Sequence, residues 1–203
     1  MSLILAQHKA IFLHIPKCAG QSIGKSFSTK HNHQHHKLND FPKDWGDYLR
    51  FTFTRHPVSR FISAHNYNKI LAHKTIKTIE NLPSSKMSPA KLYRIHLIKT
   101  NPDINTVVNE LCLGRMKKIL FFKPQSRWIL RGQPQFIGRV ENIKEDFEKL
   151  RSLLGFKNKL PHTNISKSHS SETELTKHNL QRLIEYYEFD FELTGYPKCW
   201  PNS

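Results

Sequence analysis

Apolar residues along this chain fall into short runs separated by polar turns. Ala10–Ile15 (AIFLHI) is a compact apolar run and predicts a buried strand. The run breaks at Pro16, and the small-residue stretch from Lys17 to Ser22 leads into a helical pattern over about 21–28. Residues 29–47 are polar and rich in histidine. Leu49–Thr54 alternates Leu, Phe, Phe with Arg, Thr, Thr, the period of a strand, and stops at Arg55. Pro57 then occupies the position a helix favours for its first residue, and the helix carries Val58, Phe61, Ile62 and Ile70 on its apolar side. Residues 73–90, with Pro83 and Pro89, read as a polar connector.

Farther along, helices are predicted over about 89–99 and 103–113, and short strands at Ile119–Phe122 and Gln135–Gly138. Asn142 with Glu145 forms a capping-box variant that opens a helix over Ile143–Leu154, ended by Gly155. Ser171 with Glu174 is a second such box, opening a helix to about Glu188. Strands alternating with helices predict an α/β fold, with three layers (α/β/α) around a mainly parallel central sheet. A length of 203 residues suits a single domain, 1–203.

The turn after the first strand adds chemistry to this pattern. A strand, a tight turn carrying Lys17 and a helix N-terminus together make an anion site, because backbone N–H groups and the helix dipole favour negative charge. The charge of the chain points the same way. Lys and Arg number 32 against 16 Asp and Glu, a formal +16. A solvated lysine-rich surface accounts for much of that excess, and an anionic ligand, acidic glycan or nucleic acid is the functional reading. Nucleic acid is disfavoured, because no recognition motif accompanies the charge. Cys18, Cys112 and Cys199 form no disulfide framework, which suits a reducing compartment. Only Met1 to Ala10 precede the first strand, which leaves no room for a signal peptide or membrane span and predicts a cytoplasmic protein.

Two readings compete for the anion. Ala19-(x4)-Gly24-Lys25-Ser26 satisfies a loose Walker pattern and would make the chain an ATP-dependent small-molecule kinase using Lys25. Its context is poor: Pro16, Lys17 and Cys18 intervene between strand and loop, and no later strand ends in a magnesium-holding aspartate. The alternative makes Lys17 the working lysine. PKCAGQS resembles the 5′-phosphosulfate loop of sulfotransferases, whose donor is 3′-phosphoadenosine 5′-phosphosulfate (PAPS). FTFTRHPVSRFISAHNY, Phe51 to Tyr67, resembles the same family's 3′-phosphate motif. Lys123-Pro124-Gln125 with Trp128, then FIGRVENIKEDF, LPHTNISKS and YYEFDFELTGY, resemble further elements of that family in order. The likeness runs from Ile11 to Tyr196 and is greatest for the carbohydrate branch and its bacterial relatives. His56 and Gln21 depart from the usual residues.

The resemblance implies a P-loop-NTPase-like sulfotransferase fold and a transfer from PAPS to a hydroxyl of an acceptor, a glycan or small molecule with a carbohydrate favoured, with 3′,5′-adenosine bisphosphate (PAP) as product and no metal required. It implies donor contacts from Lys17, Cys18, Ala19, Gly20, Gln21, Ser22, Arg55 and Ser63, and from Ser166 and Lys167 in the polar loop. Lys17 would stabilise the leaving oxygen. The histidine-rich segment offers the base, with His35 first by its H-x-x-L-x-D-F spacing and His36 next. A solvated polar loop is the plain alternative for those histidines, and a non-enzymatic basic protein for acidic glycans or nucleic acid is the plain alternative for the whole chain.

Overall fold

A computed structural model of the chain describes residues 2–27, 45–79, 87–161 and 175–199. The fold is α/β. Four strands, β1 (Ser2–Leu5), β2 (Ala10–Leu13), β3 (Leu49–Thr54) and β4 (Phe136–Arg139), lie side by side in that order. β1 runs antiparallel to β2, whereas β2–β3 and β3–β4 are parallel, so the sheet is mainly parallel as expected. The described helices are α1 (Gly20–Phe27), α2 (Pro57–Ile79), α3 (Pro89–Thr100), α4 (Ile104–Cys112), α5 (Ser126–Gly132), α6 (Ile143–Leu154), α7 (Lys177–Tyr186) and α8 (Glu188–Thr194).

The chain forms two compact units. The first comprises residues 1–56 and 125–166, the second residues 57–124 and 167–203. The first unit holds the sheet. Alternation along the strands sends Phe12, Phe51 and Phe53 to one face, where they bury with Ile23 of α1 and with Phe147 and Leu150 of α6. Leu13 points the other way, and Gly132 of α5 comes so close to it that an added Cβ would lie 2.3 Å from a Leu13 methyl. Helices therefore cover both faces, giving three layers within this unit. Gly138 similarly makes room for the Phe53 ring. Hydroxyls latch the strand ends: Thr52 donates to the Leu13 carbonyl at 2.7 Å and Thr54 to the Gly138 carbonyl at 3.3 Å.

The second unit is helical, with Phe61, Val108, Leu111, Phe122, Leu183 and Tyr187 among its buried residues. Its centre also holds a charge. Arg60 is fully buried and donates to the carbonyls of Phe121 at 3.1 Å and Lys123 at 2.6 Å, with its guanidinium 5.6 Å from the Tyr187 ring centroid. Tyr187 donates to the intervening Phe122 carbonyl at 2.8 Å.

Those carbonyl contacts explain one departure from the expected elements. Ile119–Phe122 is not a strand; Leu120–Phe122 is a 3-10 turn whose outward carbonyls are taken by side chains instead of by a neighbouring strand. Other departures are equally local. β1 and α5 were not expected. α2 continues to Ile79 through what reads as a connector, and Ile70 is exposed on it rather than packed. Asn142 precedes α6 but makes no side-chain cap. Its ψ of 29° lies outside the extended region a capping residue needs, and Asp146 of the helix instead accepts from the Arg139 N–H at 2.8 Å. Gly155 ends α6 in the left-handed region, φ 60°, as expected. The Ser171–Glu174 box lies outside the described residues; α7 is capped by Thr176, which accepts from the Asn179 N–H at 3.2 Å, and the helical run breaks at Tyr187 before α8.

Candidate functional site

β2 delivers the chain into the turn Ile15–Ala19, and α1 begins at Gly20. The turn is strained. Lys17 (φ 70°) and Ala19 (φ 55°) both adopt the left-handed region, which costs a non-glycine residue about 1 kcal/mol. Successive residues bent this way turn backbone N–H groups toward a common centre, the concavity that binds anions. Gly20 is fixed by a neighbour. A Cβ there would lie 2.0 Å from His14 Nε2, so only glycine lets the imidazole pack on the first turn of α1. His14 also stacks on Phe12, ring centroids 5.6 Å apart.

Lys17 stands on this turn. Burial, with the Arg55 guanidinium as the second cause, lowers its pKa from 10.5 to about 8. The Arg55 guanidinium thus stands near enough, within one unit, to disfavour the charge on Lys17. An anion placed between such groups gains from both and relieves their repulsion. Arg55 sits just past the end of β3, and its guanidinium donates to no described residue. Its main chain, by contrast, is doubly held: the N–H donates to Gln125 Oε1 at 3.0 Å and the carbonyl accepts from Gln125 Nε2 at 2.8 Å. The next N–H, of His56, donates to Glu141 Oε1 at 2.9 Å.

Cys18 is buried inside the turn, and its thiol donates to Gln125 Oε1 at 3.3 Å. Ser22 is buried on α1, and Gln21 is exposed. Lys25 is exposed on the last turn of α1. It lies five residues beyond Gly20, about 7.5 Å along the axis, whereas a Walker lysine must stand where the loop becomes helix. The fold therefore separates Lys25 from the helix start and places Lys17 beside it.

The remaining expected residues distribute as follows. Ser63 is half-buried in the second turn of α2, in the helical unit. His35, His36, Ser166 and Lys167 lie outside the described residues. His65 of α2 is buried and shares a 3.1 Å hydrogen bond between Nδ1 and the Tyr93 hydroxyl. Burial first, and Lys69 second, push its pKa down to about 4, so it packs as a neutral group. Trp128 is buried in α5. Among the described residues no His, Cys, Asp and Glu cluster has the makings of a metal site. No described helix is long and apolar enough to cross a membrane.

The sequence model of the Sulfotransferase family matches residues 2–197. The chain belongs to the sulfotransferase family. No curated protein and no solved structure matches it. As a sulfotransferase the protein is a transferase that moves a sulfuryl group, and its α/β sheet with a phosphate-loop-like turn accords with that family. Gln125 and Glu141 each lie in a stretch that resembles a family element, and the folded chain reveals that their side chains hold the backbone of Arg55 and His56.

Proposed function

We propose that this sulfotransferase transfers the sulfuryl group of PAPS to a hydroxyl of a carbohydrate acceptor, with Lys17 and Arg55 gripping the donor. The observation that carries this reading is the like-charge pair itself: a strained anion-binding turn bearing a partly buried lysine, with an arginine close enough to depress its pKa. PAPS, when bound, supplies an activated sulfuryl group on a phosphosulfate bridge. Lys17 stabilises the negative charge that develops on the bridging oxygen, and the N–H groups of the turn and of the start of α1 take the 5′-phosphate side. Arg55 forks onto the 3′-phosphate, with Ser63 adding a hydroxyl donor. Ser22, Cys18, Ala19, Gly20 and Gln21 line the donor loop, and Ser166 with Lys167 complete it. His35, with His36 next, takes the proton from the acceptor hydroxyl. The chemistry calls for no metal.

The family match spans both compact units, which supports one catalytic domain over residues 1–203. The excess of positive charge permits an acidic sugar acceptor without requiring one, and nucleic acid is not the partner we favour. Three free cysteines support a reducing, cytoplasmic setting.

Calorimetry with PAP and with ATP tests the reading. PAP should bind and ATP should not compete, and Lys17→Ala should lose PAP while Lys25→Ala keeps it. Preference for ATP with dependence on Lys25 would establish the kinase reading in its place.

A further inference from the structure

The Arg55 guanidinium disfavours the charge on Lys17, so the spacing of the two groups matters to any anion they share. From the hydrogen bonds of the first unit we infer that Gln125 is a positioning residue that fixes the spacing of this cation pair. The inference rests on the donor-site reading above and extends it to a residue that touches neither phosphate.

The carboxamide of Gln125 is fully buried. Its two ends engage both main-chain groups of Arg55, as a neighbouring strand would: Oε1 accepts from the N–H at 3.0 Å and Nε2 donates to the carbonyl at 2.8 Å. Successive residues of a strand turn their main-chain groups to opposite edges: Thr54 gives its carbonyl to the Val140 N–H on the β4 side at 2.8 Å, so the N–H and carbonyl of Arg55 face the β2 side, where pairing ends at Phe51. Gln125 therefore takes a strand partner's place at the residue that carries the guanidinium. The same Oε1 accepts from the Cys18 thiol at 3.3 Å, and Cys18 is the residue next to Lys17 in the strained turn. One amide thus ties the backbone under Arg55 to the side chain of Cys18, the residue next to Lys17. Ionised side chains could not do this in the same place. A carboxylate would offer no donor to the Arg55 carbonyl, and a cation would add to the repulsion.

A fixed spacing matters only to a ligand that needs both cations at once. PAP has two phosphate ends and gains from both contacts simultaneously, whereas 5′-AMP uses only one end. The experiment measures the affinities of PAP and 5′-AMP for the wild type and for Gln125→Met, which keeps the volume and removes the hydrogen bonds to Arg55 and Cys18. The wild type should prefer PAP, and Gln125→Met should shrink that preference by about tenfold, with 5′-AMP affinity nearly unchanged. A loss of folded fraction alone would lower both affinities together, so an unchanged PAP to 5′-AMP ratio overturns the positioning role.

If Gln125→Met does not fold, Cys18→Ala and Cys18→Ser decide. The alanine variant should narrow the preference about threefold and the serine variant, which keeps an O–H donor, should restore it; equal preference in both overturns the inference. A wild type that shows no preference for PAP over 5′-AMP counts against the donor-site reading itself, which separates that failure from this one.

Discussion

Arg55 and Arg60 stand five residues apart in one stretch of sequence, and the protein uses them in opposite ways. In the first unit, Arg55 has its main chain pinned by Gln125 while its guanidinium disfavours the charge on Lys17. In the second, Arg60 is fully buried and commits its guanidinium to two carbonyls and the face of Tyr187. The first arrangement keeps positive charge under tension, which an arriving anion relieves. The second spends positive charge on holding the 3-10 turn at Leu120–Phe122 and the residue after it. The difference teaches that an arginine in a functional motif is assigned by how its hydrogen-bond donors are used, not by the motif alone.

The contrast breaks most visibly at Lys17. Lys17→Met should reduce PAPS-dependent turnover by on the order of a thousandfold, the scale seen when a key charge-stabilising group is removed. Its thermal stability should hold or rise, since a partly buried charge and a repulsive contact disappear together. A large loss of stability would mean that Lys17 is structural and would erase the distinction. Arg60→Met should do the reverse. Leaving two buried carbonyls without their donor should destabilise the protein by about 3 kcal/mol, read in denaturant melts, while PAP affinity per folded molecule changes little.

Titration sharpens the comparison on a smaller scale. The pKa of Lys17 is about 8 in the folded, ligand-free protein and 10.5 when unperturbed. The unfolded chain therefore binds more protons between pH 8 and 10.5, so stability rises with pH across that window. Anion binding favours the charged lysine, so PAP affinity should instead fall as pH climbs through 8, by up to about tenfold per unit. Opposite slopes for stability and affinity, both flattened in Lys17→Met, are the expected signature. The second unit carries its own, weaker signal. His65 is depressed from 6.5 to about 4, and the stability it contributes as a neutral group should be lost as pH falls from 6.5 toward 4. His65→Gln should remove that slope without touching PAP affinity.

Much of the turn around Lys17 and of its flanking strands and helices was legible because it depends on local rules. β3 runs over the expected Leu49–Thr54, the Ala10 strand stops early at Leu13, and Pro57 opens α2 as its ring predisposes it to. Lys25 falls on an exposed helical position, as its spacing suggests. What escaped depends on partners distant in sequence. β1 is four residues long and is a strand because Ser2–Leu5 can pair with Ala10–Leu13. The segment around Ile119–Phe122 has strand-like composition, yet Arg60 and Tyr187 claim its carbonyls from α2 and from the end of α7. Gln125 reads as part of the Pro-Gln-x-x-Trp stretch that resembles a family element, and nothing in its neighbours indicates a partner 70 residues earlier. Strain at Lys17 and Ala19 is invisible to composition, since neither residue type favours positive φ.

The most direct measurement is a double-mutant cycle of PAP affinity over wild type, Lys17→Met, Arg55→Met and the double variant. The account predicts that each single change weakens PAP at least tenfold and that the two effects do not add, because one ligand spans both cations and each cation alters the other's cost. PAP affinity that survives either change would contradict the claim that Lys17 and Arg55 form one donor site.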